Sequence, residues 1–160
     1  MTISNFELVA LAKQYHLDLK LKDIMLIDEL KEVKCRKKMN LILNYQANGS
    51  AHFVCLVVRG EDALYMDSFG GYPLPEVEEY CKVHKLRLGY NGVGIQASSS
   101  SNCGVYCFAF LMMLGNSENS ENVYDVGDDF VSLFDRKHVE GNDDVLHELL
   151  IGMGVRHDYK

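Results

Sequence analysis

Proline is nearly missing from this 160-residue chain: only Pro73 and Pro75 occur, and no Pro- or Gly-rich linker divides it. The expectation is a single α+β domain over residues 1–160. Long apolar runs are also missing. The longest falls far short of the roughly 18–20 residues that cross a bilayer, so no membrane association is expected. Positive charge is in deficit, with 16 Lys and Arg against 23 Asp and Glu and a formal net charge of −7. Coating phosphate backbones needs a cationic face, so nucleic-acid binding is expected to be weak or absent. Residues Met1 to Ala12 carry Glu7 in an amphipathic pattern and lack a basic start followed by an apolar block. No secretory leader is expected from them. Repeats are lacking too, and 48% hydrophobic with 24% charged residues excludes a disordered polyelectrolyte.

Cysteine is present without a framework. The five are Cys35, Cys55, Cys81, Cys103 and Cys107. An odd number at irregular spacing in a chain of this size points to free thiols in a reducing setting. No Cys-x-x-Cys occurs, and Cys103/Cys107 has no second Cys or His pair at finger spacing, which speaks against structural zinc. No metal or other cofactor is expected.

Several elements can be read directly. Ser4-Asn5-Phe6-Glu7 fits a capping box, with Ile3 and Leu8 as hydrophobic staple, and predicts a helix to about His16. Residues 17–38 read as a mixed, solvated segment whose Lys31, Lys34, Arg36, Lys37 and Lys38 form the one basic cluster. Met39–Tyr45 reads as a strand. Ala51–Val58 is a nearly continuous apolar run, hence a strand covered on both faces. Asp62–Asp67 is its returning partner. A helix is predicted over Leu74–His84, introduced by proline and acidic in its first turn. Leu86–Tyr90 and Val93–Gln96 read as short strands about Asn91-Gly92. The polar stretch Ala97–Asn102 then leads into a buried helix, Cys103–Leu114, ended by Gly115. Asn116–Asn122 reads as a polar loop, followed by helices near 125–134 and 142–151.

Chemistry enters through the hairpin. A two-residue loop at Arg59-Gly60 sets His52 directly opposite Asp67, with Cβ atoms roughly 5 Å apart. A four-residue loop, 59–62, leaves Asp67 on the diagonal of the same face, whereas a three-residue loop would separate them. A carboxylate beside an imidazole fixes its tautomer and stabilises the imidazolium. Cys103 falls where a polar loop meets a buried helix. The free N–H groups and dipole of a helix start favour thiolate there, and Gly104 offers room for a substrate backbone. Gln96, seven residues earlier, carries an amide N–H₂ that suits a developing oxyanion, with the Cys103 backbone N–H as second donor. Taken singly, each also reads blandly: a structural His–Asp pair, a packed thiol, an amide with no chemical role. Together they supply base, orienting carboxylate, oxyanion donor and nucleophile. Cys55 and Cys107 read as core, and Cys35 as exposed and chemically bland.

The blocks Ala51-His52-Phe53, Tyr65-Met66-Asp67-Ser68-Phe69-Gly70, Gln96 and Asn102-Cys103-Gly104-Val105-Tyr106-Cys107 resemble the adenovirus-type maturation cysteine proteases, the adenain family. That family shares its fold core with the ubiquitin-like-protein (SUMO) proteases. The likeness covers roughly residues 4–114. Asp28-Glu29-Leu30 and Asp67-Ser68-Phe69-Gly70 bring it nearest to homologues carried by virophages and Polinton/Maverick-type elements. It implies a papain-like, adenain-like fold: a central mixed sheet flanked by helices, with the nucleophile at the N-terminus of a buried helix. It implies a monomeric endopeptidase that cuts capsid or scaffold precursors, in the virion or the cytoplasm of an infected cell. Cys103 is then nucleophile, His52 general base and acid, and Asp67 the carboxylate; Gln96 and Cys103 form the oxyanion hole. Phe53 stands where the family has Trp, which weakens a ring contact to the imidazolium. Residues beyond about 115 match nothing in that pattern, and the family's peptide and DNA cofactors are not carried over. An isopeptidase acting on ubiquitin-like modifiers, or a silent binding module of the same fold, remain alternatives.

Other candidates read more blandly. Ser98–Ser101 lacks a nucleophile elbow and reads as a flexible loop. His84 reads as surface, and His138, His147 and His157 are scattered. Asp143, Asp144, His147 and Glu148 read as an exposed charged helix face. Gly70-Gly71 reads as a turn.

Overall fold

The computed structural model describes residues 3–47, 49–117 and 122–155. Residues 118–121 of the polar loop, and His157, lie outside them. Five strands form one mixed sheet in chain order: β1 (Ile24–Leu26), β2 (Lys38–Ala47), β3 (Ser50–Arg59), β4 (Asp62–Met66) and β5 (Arg87–Tyr90). The outer pairs β1/β2 and β4/β5 are parallel, and β2/β3 and β3/β4 are antiparallel. The helices are α1 (Asn5–Gln14), α2 (Pro75–Val83), α3 (Cys103–Asn116), α4 (Val123–Ser132) and α5 (Asn142–Gly152).

Helices cover both faces, so β3 has to be apolar on both sides, and it is buried from His52 to Val58. Phe53, Cys55 and Val57 meet the core built by α1, α3, α4 and α5. Val54, Leu56 and Val58 meet the core under α2 and the 3-10 turn Ile27–Glu32. Each such fully buried side chain contributes about 1.5–3 kcal/mol. The capping box of α1 is formed: the Glu7 N–H donates to Ser4 Oγ at 3.1 Å and the Ser4 N–H to Glu7 Oε1 at 3.3 Å. Ile3 and Leu8 are both buried beside it.

Four expectations need correction. The segment 17–38 is not merely a solvated loop: β1 pairs parallel with β2, and Leu30 is buried under α2. Three paired residues without alternation leave too little pattern to read. Its basic side chains are exposed, as expected, but Cys35 is half-buried against the second core. Residues 93–96 form no strand; the N–H groups of Ile95 and Gln96 both donate to the single carbonyl of Ser68, at 2.8 and 3.0 Å. Finally, α3 runs through Gly115 to Asn116: one glycine costs a helix only about 1 kcal/mol, too little to stop it within its last turn.

Candidate active site

The hairpin register follows the diagonal alternative. Arg59 pairs with Asp62 and Val58 with Ala63 around a two-residue loop, Gly60-Glu61. Gly60 leads that loop at φ +65°, a conformation glycine adopts freely. Cys55↔Met66 is the last pair, so Asp67 continues β4 on the same face as His52, one step removed. The reach is closed by side chain: His52 Nε2 and Asp67 Oδ1 lie 2.7 Å apart, and both residues are buried.

Asp67 is held from all sides. Its Oδ1 also accepts the Phe69 N–H at 2.9 Å, and its Oδ2 accepts the Gly71 N–H at 3.1 Å. Asn91 brackets its backbone, accepting the Asp67 N–H at 2.9 Å and donating to the Asp67 carbonyl at 2.6 Å. The two glycines after Phe69 are there for proximity. A Cβ on Gly71 would stand 2.6 Å from Asp67 Oδ2, and one on Gly70 would stand 2.4 Å from the Gly94 nitrogen.

Cys103 opens α3 and reaches the end of β3 from the opposite layer. Its sulfur accepts the Phe53 N–H at 3.5 Å. Adjacent residues of one strand thus serve the site, His52 as imidazole and Phe53 as amide donor. Burial raises the Cys103 pKa, yet hydrogen bonds from His52 and from the Phe53 and Gly104 backbone hold it below the ordinary thiol value. Burial likewise opposes a charged His52, but its bonds to Asp67 and Cys103 lift it from 6.5 to about 9. Asp67 takes Nε2, so the proton on that nitrogen is fixed by the carboxylate. The two shifts run in the directions that favour a thiolate beside an imidazolium.

The aromatic neighbours of the imidazole differ from expectation. Phe69 stacks on it at 4.7 Å and 28°, and Tyr45, its cross-strand partner, meets it edge-on at 5.4 Å. Phe53 follows His52 in the strand, so its side chain enters the α-helical core instead. Phe69 is 41% exposed and forms the solvent-side wall of the ring. Gly104 also has another role than expected. A Cβ there would lie 2.8 Å from Ile3 Cγ2 and 3.4 Å from Phe53 Cδ2, so the space is filled by α1 packing rather than left for substrate.

Gln96 is buried on the same approach, pinned by its backbone to Ser68. Its Oε1 accepts the Ser68 hydroxyl, and its Nε2 donates to the carbonyl and hydroxyl of Ser100, both at 3.1 Å. The amide is therefore turned to Ser100 in this state. The serine stretch is correspondingly not a loose loop, since Ser100 Oγ also accepts the Asn102 N–H at 3.2 Å. Nor is Asp143 part of a bare charged face: it accepts from Ser100, Asn102 and Tyr106. A contact between residues forty positions apart leaves no trace in local pattern. Phe69 and Asn91 were legible only as neighbours of a motif and a turn.

Elsewhere, Cys55 and Cys107 are core, with Cys55 Sγ 3.7 Å from the Cys107 carbonyl. His84 is half-buried against the Tyr80 ring, and His138 is exposed. Grooves of about 380 and 570 Å³ open beside α2, and neither is lined by His52, Gln96 or Cys103. Among the described residues, no helix is long and apolar enough to cross a membrane. No family model matches the chain, and no curated protein matches it either.

Proposed function

We propose that the chain is a thiol endopeptidase with an adenain-like, papain-like catalytic arrangement. The observation that carries this reading is the buried His52–Asp67 pair at 2.7 Å, with the Cys103 thiol at a helix start held by the amide of Phe53, the residue next to His52. The Cys103 thiolate attacks the scissile carbonyl and forms a tetrahedral adduct. Its oxyanion is met by the Cys103 backbone N–H, one of the amides an α-helix start leaves free. The Gln96 amide is the second donor, and it gives up one of its two bonds to Ser100 to reach the adduct. His52 then gives its proton to the leaving amine, producing an acyl-enzyme and a neutral imidazole. That imidazole takes a proton from water, whose hydroxide adds to the thioester; collapse releases the acid and restores the thiolate–imidazolium pair. Asp67 keeps the ring oriented throughout.

The four sequence blocks point to capsid or scaffold precursors as substrates, with action in the particle or the infected cytoplasm. Co-expression with the element's major capsid precursor tests this. Precursor is expected to be cleaved by the unaltered chain and left whole by Cys103→Ala, with the variant's circular dichroism unchanged. Equal processing by both would reject the assignment.

A further inference from the structure

The C-terminal part of the chain, which the family pattern leaves unexplained, grips the nucleophile's approach. Asp143 stands in the first turn of α5. Its Oδ1 accepts the hydroxyls of Ser100 and Tyr106, both at 3.0 Å, and its Oδ2 accepts Asn102 Nδ2 at 3.1 Å. Two of these donors precede Cys103 and one follows it. Ser100 is in turn the residue to which Gln96 Nε2 donates. Next door, buried Asn142 donates to the Ile95 carbonyl at 2.7 Å, fixing the residue before Gln96. Thus α5 holds the stretch 95–106 at both ends, whereas α3 itself has no side-chain cap on its first turn.

We propose that Asp143 is a positioning residue for acyl transfer. It sets the conformation of the 96–103 loop, and with it the spacing between the Gln96 amide and the Cys103 N–H, without touching thiol or substrate. The proposal rests on the thiol-endopeptidase reading. The chemistry selects a carboxylate here: three donors converge, and only a group with acceptor capacity on both oxygens serves them all. An amide would turn an N–H₂ on one of them.

Two reactions of the full-length protein separate this role from plain structural support. Alkylation of Cys103 by iodoacetamide is displacement at a tetrahedral carbon, so it reads the thiolate–imidazolium pair and develops no oxyanion. Cleavage of the precursor, or of a peptide carrying its cleavage site, needs both. Asp143→Ala is expected to lower kcat about a hundredfold, the scale of a small misplacement of reacting groups. KM, the alkylation rate and its pH midpoint are expected to stay as in the unaltered protein. Asp143→Asn keeps size and one acceptor oxygen, so it is expected to lose less, and it decides the matter should the alanine variant not fold. An unchanged kcat in Asp143→Ala, or in Asp143→Asn where the alanine variant does not fold, would overturn the proposal. So would a parallel fall in cleavage and alkylation, which marks general loss of the fold. Should Cys103 of the unaltered protein alkylate no faster than a free cysteine, the endopeptidase reading itself falls first.

Discussion

Among single residues, His52 and Cys103 determine how the protein should respond to pH. His52 titrates near 9 and Cys103 below an ordinary thiol, so the reactive ion pair prevails between those limits. The two macroscopic titrations belong to the pair as a unit. Turnover is expected to rise as Cys103 loses its proton, then to fall near pH 9 as His52 loses the proton owed to the leaving amine. A profile of kcat/KM against pH checks this, and a plateau persisting well above 9 would contradict it. Stability should behave differently. The raised His52 value favours the folded state fully below 6.5 and fades as pH climbs to about 9. The lowered Cys103 value favours it above the ordinary thiol range and fades as pH falls. The slopes oppose each other where they overlap, so the pair's effect on Tm is smaller than either group's alone. At this scale the sequence was informative because strand parity is strict: an even loop must put His52 and Asp67 on one face. Asp143 was invisible because its three bonds are purely tertiary.

Among elements, α3 and β3 carry the site jointly, and Gly104 is where they are pressed together. A methyl there would meet Ile3 and Phe53 at 2.8 and 3.4 Å. Gly104→Ala is therefore expected to destabilise the protein by about 1–3 kcal/mol through overpacking. It should also slow Cys103 alkylation, since Phe53 supplies the amide that holds the sulfur. The midpoint of urea denaturation measures the first effect. A variant as stable as the parent would show that α1 can step aside. Long elements with strong patterns, such as β3 and the capped α1, were readable because burial on two faces or a capping box leaves several residues in agreement. The three-residue β1 and the 93–96 turn were not. The first exists only because β2 offers it a partner, and the second only because Ser68 offers it a carbonyl.

Across the whole molecule, charge and site are separated. The exposed Lys31, Lys34, Arg36, Lys37 and Lys38 run into the start of β2, where Lys38 pairs with Arg59. His52 lies seven residues back along β3, roughly 20 Å away at a strand's rise per residue. With a net charge of −7, this patch is expected to bind duplex DNA too weakly to matter at physiological salt. Fluorescence anisotropy of a labelled duplex tests this. Saturable binding at physiological salt, together with faster cleavage, would reverse it.

Placing His52 on the third strand of a five-stranded sheet, and Asp67 just past the end of the fourth, has a consequence for the molecule's own survival. Interior strands part only when the whole structure comes undone, so breathing at the edges leaves the His52–Asp67 pair intact. On the proposed endopeptidase reading this bears on autolysis: global unfolding dismantles the site together with the chain, and only the edges are exposed to cutting while the site persists.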